Sequence, residues 1–209
     1  MQIINMPSGP LAVNTYLVID EKNKKGFIVD PGGYDSSLVN KVNEQGADIE
    51  YILLTHGHAD HIGGVSDYVA EFKNVKVVAD KDEEAMLANP NFNMSTSFGV
   101  PCSVKADIYV SDGDELEVGD LVLRFLHTPG HSPGGMCIYM PQENVVFSGD
   151  TLFCQSIGRT DFPGCSFDAL VDSIRSRLFV LPDETDVYPG HMGPTNIGFE
   201  KGHNPFVRL

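Results

Sequence analysis

Residues 50–61, Glu50-Tyr51-Ile52-Leu53-Leu54-Thr55-His56-Gly57-His58-Ala59-Asp60-His61, join a short apolar stretch to a run of ligand-type side chains. Residues 50–55 have the continuous apolar character of a strand buried on both faces. Three histidines and one aspartate follow within six positions, and helix signals then run over residues 62–72. In a tight strand-to-helix turn, alternate residues project to the same side, so His56 and His58 can share one metal ion. Asp60 and His61, one step further along, can face a second. Two neutral imidazoles and a third ligand leave a coordination position open, as catalytic zinc requires. A lone histidine is usually an ordinary polar residue, but that reading must here explain four ligand types at once.

On the N-terminal side, residues 15–20 and 26–30 are β-branched runs joined by a lysine-rich turn, which predicts a hairpin. Pro31-Gly32-Gly33 ends it. Asp35 or Ser36 can cap a helix running to Gln45, with Leu38, Val39 and Val42 on one face. On the C-terminal side come a strand at 75–79 and a helix at 81–87. Strands follow at 107–110, 115–118, 121–127, 135–140 and 145–148. A helix over 167–178, begun by Ser166, precedes a strand at 186–188. Strands followed by helices in each half predict an α/β fold of two packed sheets with helices outside each. Residues 89–103 are polar and aperiodic with two prolines, and read as either a surface loop or a lid over a site.

Three further positions suit the same chemistry. His131 lies in Thr128-Pro129-Gly130-His131, Asp150 ends the strand before Thr151, and His191 follows Tyr188-Pro189-Gly190. Each is a ligand-type residue at a strand end beside glycine, which permits unusual backbone geometry. His127 and His203 lack that setting and read as ordinary.

Composition bounds the partners. A length of 209 residues is that of one domain, 1–209, large enough for a sizeable core. The net charge of −15 repels phosphate backbones and anionic lipid, so neither nucleic acid nor a membrane surface is expected as a partner. Cys102, Cys137, Cys154 and Cys165 form no Cys-x-x-Cys pair. With no export signal at the N-terminus, they read as reduced thiols of a cytoplasmic protein.

These features together resemble the metallo-β-lactamase superfamily, whose five motifs fall in order at Asp30, His56–His61, His131, Asp150 and His191. Within it the chain is similar to short, single-domain glyoxalase II-type hydroxyacylglutathione hydrolases. The likeness is carried by TPGHSPGG at 128–135, GDTLF at 149–153, GRTDF at 158–162, LPDETDVYPGH at 181–191 and NPF at 204–206. It implies a four-layer αββα sandwich. It also implies one metal on His56, His58 and His131, a second on Asp60, His61 and His191, and Asp150 bridging both. Asp30 would support the metal loop without ligating. The implied cofactors are two divalent ions, zinc or a zinc/iron mixture. Two departures stand out. Glyoxalase II enzymes continue into a helical region that grips the glutathione carboxylates, whereas this sequence ends soon after Asn204-Pro205-Phe206. The family also reads Gly-His-Gly at the last ligand, and here Met192 separates His191 from Gly193.

The implied reaction is hydrolysis of a small-molecule thioester, S-lactoylglutathione being the family's example. A hydroxide bridging two metals is the nucleophile, and Asp60 and Asp150 are the expected catalytic carboxylates. A thiolate leaving group, with a reference pKa of about 8.5, departs without a strong general acid. Arg159 is expected either to meet a substrate carboxylate or to pair with Asp161. The alternative is a mononuclear-iron persulfide dioxygenase, which shares the GRTDF segment and would use His56, His131 and Asp150. A secreted β-lactamase would want an export signal and, in its best-known form, a cysteine in place of Asp150. A nuclease sits poorly with the charge, a flavin-coupled reductase needs a flavin domain, and a metal-free scaffold would have lost ligands.

Overall fold

Strand β2, Val13–Asp20, is buried at all eight positions, which requires a sheet covered on both faces. The computed structural model, which describes residues 1–207 and so leaves the last two positions of the expected domain outside, shows how that is met. The first sheet has the order β1 (Gln2–Ser8), β2, β3 (Lys25–Val29), β4 (Asp48–Leu53), β5 (Lys76–Asp80) and β6 (Ile108–Val110). Its first three strands run antiparallel, and β3 to β6 run parallel. The second sheet contains β7 (Glu115–Val118), β8 (Leu121–His127), β9 (Met136–Met140) and β10 (Val145–Gly149), followed by a small hairpin of β11 (Leu152–Phe153) and β12 (Ser156–Ile157). Strands β13 (Asp186–Pro189) and β14 (Thr195–Asn196) complete it in the order β14-β13-β10-β9-β8-β7.

Three separate apolar cores make these elements four layers. Alternate residues of β2 part company: Leu17 and Ile19 pack outward with Leu38 and Val42 of helix α1 (Ser36–Gln45), while Tyr16 and Val18 face the second sheet. Between the sheets, Phe27 and Leu53 meet Phe125, Ile138 and Phe147. The reverse face of the second sheet, with Cys137, Tyr139 and Val146, packs on Leu170 of helix α5 (Phe167–Ser173) and Ile197 of helix α6 (Ile197–His203). Truncating a residue as enclosed as Phe147 would cost about 3–5 kcal/mol. The arrangement is the αββα sandwich.

Several boundaries differ from the sequence reading. The expected helix over 62–72 is two helices, α2 (Ala59–Ile62) and α3 (Val65–Glu71), because the backbone of Gly63 and Gly64 presses on residues 31–33. A Cβ on Gly64 would lie 2.7 Å from the carbonyl carbon of Gly33. The segment at 81–87 is a 3₁₀ turn, Lys81–Glu83, leading into helix α4 (Glu84–Ala88). The last turn of the 167–178 helix is a π-turn. Helix α1 is capped by Asp35, whose carboxylate accepts the N–H of Ser37 at 2.8 Å. Residues 89–103 are not wholly loose: Asn93 is fully buried, its carbonyl accepts the N–H of Ala59 at 2.8 Å, and Ser95–Phe98 form a 3₁₀ turn.

Candidate metal centre

The residues singled out in the sequence come together at one edge of the sandwich. Thr55 and His56 follow β4, His131 lies between β8 and β9, Asp150 follows β10, and His191 follows β13. Strands β10 and β13 are parallel, so their ends are adjacent, and Gly190 donates its N–H to the Gly149 carbonyl at 2.8 Å. Gly149 holds φ +48°, and a Cβ there would run into the Thr55 hydroxyl. Glycine is required to let Asp150 reach the centre. The inter-sheet core steadies the last loop: the Tyr16 hydroxyl donates to the Pro189 carbonyl at 2.7 Å.

Two clusters result. His56, His58 and His131 form one, and Asp60, His61 and His191 the other, with potential ligand atoms within 4.8 Å of one another in each. Asp150 stands between them. Its Oδ1 is 3.4 Å from His61 Nε2, and its Oδ2 is 3.6 Å from His131 Nε2 and 3.8 Å from His191 Nε2.

The surrounding hydrogen bonds choose which nitrogen each histidine offers. Thr55 donates its hydroxyl to Asp30 Oδ2 at 2.6 Å, so it accepts from His56 Nδ1 at 3.1 Å and leaves His56 Nε2 bare. His61 Nδ1 donates to Asp30 Oδ2 at 2.9 Å, and His131 Nδ1 to the Arg159 carbonyl at 2.8 Å. Each bond turns the Nε2 atom inward, the usual orienting arrangement around a metal ligand. Asp30 itself takes φ +47°, fixed by the Thr55 N–H on its Oδ1 at 2.8 Å.

The donors fit a pair of metal ions. His56 Nε2, His61 Nε2 and Asp150 Oδ1 are buried with no hydrogen-bond partner, an arrangement costly for polar atoms unless a cation completes it. His58 Nδ1 and His131 Nε2 lie 2.9 Å apart, and the His131 nitrogen carries no proton. Burial and neighbouring imidazoles push His58 down to about 3, and burial also lowers His56 and His131. These three are neutral and ready to ligate. The second cluster is governed by charge. Burial opposes a cationic His61, but Asp150, Asp60 and Asp30 outweigh it and raise its pKa. The hydrogen bond to Asp60 raises that of His191. The His/Asp clusters thus indicate a dinuclear metal site.

Sequence reasoning missed Glu83. Its carboxylate is 1% exposed and accepts the Gly57 N–H and the Gly134 N–H, each at 2.7 Å. Gly57 separates two ligands and Gly134 follows the third, so one buried anion ties both loops of the three-histidine cluster together. Glu83 sits alone in a charged turn, with no spacing pattern to mark it. Met192 also gains meaning: it adopts φ +70°, its carbonyl held by Asn14 Nδ2 at 2.8 Å. That conformation costs a non-glycine residue about 1–2 kcal/mol.

A cleft of about 390 Å³ opens over the clusters, lined by His58, Asp60, His131, Asp150 and His191. Arg159 lines it too, paired through two 2.7 Å hydrogen bonds with Asp161 and stacked 3.8 Å from the Phe162 ring centre. His127 is 3.0 Å from Asp80, and His203 bonds its own helix; neither enters the cleft. No helix among the described residues is long and apolar enough to cross a membrane.

Comparison with known proteins agrees with this geometry. The hydroxyacylglutathione hydrolase GloC of Haemophilus influenzae is 33% identical, with 99% of this chain and 98% of that protein covered. The crystal structure of BLEG-1 B3 metallo-beta-lactamase matches with a TM-score of 0.92 at 38% identity, over 99% of each chain. That of TTHA1623 in a di-iron-bound form matches with a TM-score of 0.84 at 34% identity, over 97% of this chain and 99% of the other. The metallo-beta-lactamase superfamily profile spans residues 8–191, from the end of β1 to the last histidine of the second cluster. With fold, ligand clusters and profile in agreement, the chain belongs to the metallo-β-lactamase superfamily.

Proposed function

We propose that this chain is a metal-dependent hydrolase of thioesters, of the hydroxyacylglutathione hydrolase type. The observation that carries the reading is the place of Asp150, within 4 Å of ligand atoms from both clusters and lining an open cleft. Two divalent ions, zinc or a zinc/iron pair, supply a water of lowered pKa and positive charge toward an oxyanion when bound. His56, His58 and His131 would hold one, Asp60, His61 and His191 the other, with Asp150 shared.

In the reaction, an oxygen from water bonds to the acyl carbon and the C–S bond breaks, its electron pair leaving on sulfur. The products are a carboxylate, a thiol and one proton. Asp60 and Asp150 bring only two negative charges to the centre, so the loaded site stays cationic and favours an anionic transition state over a neutral carbonyl. Asp30, Thr55 and the Arg159 carbonyl keep three imidazoles from turning as charge develops. The likeness to GloC supports a thioester, and the likeness to a di-iron-bound structure supports two ions.

A second reading, β-lactam hydrolysis, is favoured by the likeness to BLEG-1. An amine leaves far less readily than a thiolate and needs a proton donor, which a thioester does not. The test is to assay protein loaded with two equivalents of zinc or iron against S-lactoylglutathione, an uncharged thioester and a cephalosporin. Thiol release that a chelator abolishes, exceeding β-lactam cleavage, is expected. No thioester turnover with both ions bound would overturn the proposal, and a preference for the cephalosporin would favour the second reading.

A further inference from the structure

Beyond the ligand clusters, Ser156 and Arg159 are the only polar residues among the described ones that line the cleft. Its walls are apolar, formed by Leu11, Phe98, Phe153, Ile157, Phe162 and Met192. Aromatic edges flank both clusters: the Phe162 ring is 5.7 Å from His58, and the Phe153 ring is 6.3 Å from His191. The rim is apolar where water should favour polar groups, for Leu11 is 50% exposed, Phe98 44% and Met192 58%. Exposed apolar patches of this kind mark ligand grooves. Met192 is the most telling. It holds a left-handed backbone that glycine would adopt freely, and by doing so puts a thioether chain on the cleft wall beside the last ligand.

Away from the ligand clusters the cleft offers little to an anionic group. Arg159 is the one Arg or Lys lining it among the described residues, and Asp161 already pairs with one edge of its guanidinium through two hydrogen bonds. A glutathione ester brings two carboxylates to a chain of net charge −15. We infer that the cleft selects thioesters with an apolar acyl group over glutathione esters with their two carboxylates, with Met192, Phe98 and Phe162 as its specificity-determining residues. The inference rests on the thioester reading but makes a separate claim about the walls.

The test uses the zinc-loaded protein with acetyl, butyryl, hexanoyl and octanoyl esters of one uncharged thiol, N-acetylcysteamine, beside S-lactoylglutathione. Binding of the product carboxylates, acetate to octanoate, is measured in parallel by calorimetry. The expected result is kcat/KM rising about threefold to fourfold per methylene until the wall is filled. Octanoate should bind more tightly than acetate, with a more negative heat-capacity change. Met192→Gly should leave Tm unchanged or raised, because the strained backbone relaxes, yet lower the octanoyl-to-acetyl ratio severalfold. Phe162→Ala should lower the same ratio. A flat or falling chain-length profile, or a Met192→Gly ratio equal to the parent's, would overturn the inference. The two claims fail separately. Tight octanoate binding without turnover of any thioester would sink the thioester reading and uphold the apolar cleft, whereas turnover indifferent to acyl length would do the reverse.

Discussion

The two ligand clusters lie within a few ångströms of each other, yet different forces set them. The three-histidine cluster is a product of packing. His56, His58 and His131 are each at most 5% exposed and neutral, tied by Thr55, the Arg159 carbonyl and the Glu83 loop clamp. The Asp60, His61 and His191 cluster is a product of charge, with two of its members reaching the cleft and its imidazoles inclined to hold protons. One loop, residues 56–61, feeds both. A site can therefore carry a rigid half and a titratable half that share one six-residue loop.

Removing what the halves share should have the largest effect. Asp150→Ala takes a ligand from both clusters and leaves two cations less screened from each other, so activity should fall by about 10³-fold or more. The check is turnover of the folded variant at saturating metal. Near-normal rates with both ions bound would dissolve the shared centre on which the comparison rests.

A pH series should separate the halves. His61 and His191 have raised pKa values, so protons compete with a metal there, and across a series of falling pH the second cluster should lose its ion before the first. His58 titrates at about 3, and His56 and His131 are also lowered, so the first cluster should keep its ion to lower pH. Metal retained after dialysis at each pH measures this. Simultaneous loss of both ions would mean that the clusters do not differ as described.

Glu83 provides the finer test. Glu83→Gln keeps the shape but sets an amide N–H against one of two backbone N–H groups. Affinity at the three-histidine cluster should drop by about 10- to 100-fold, as for other orienting partners, while the second cluster is little changed. Competitive titration with a chromophoric chelator resolves the two. Equal weakening at both clusters would show that the clamp acts on the whole site.

Much of this was legible in the sequence because local chemistry and global fold agree there. The ligand run follows a strand that could only be buried, and glycine flanks Asp150 and His191 where the backbone must turn sharply. The strands of both sheets fell close to their observed places for the same reason. What escaped were features without a pattern. Strand β1 mixes Asn5 and Pro7 into an edge position, and α6 carries two glycines that dilute its periodicity. The break at Gly63-Gly64 depends on how closely residues 31–33 approach, a tertiary fact. Glu83 looked like any charge in a turn until its two N–H donors, 26 and 51 residues away, came together over it.

The central claim is that one chain holds two metal ions. Metal content by mass spectrometry, on protein purified without added metal and then equilibrated with excess zinc or iron at pH 8, tests it most directly. Two ions per chain are expected, falling to one when His191 is replaced by alanine. A single ion per chain under every loading condition, above all a single iron, would contradict the dinuclear account and return the site to mononuclear oxygen chemistry.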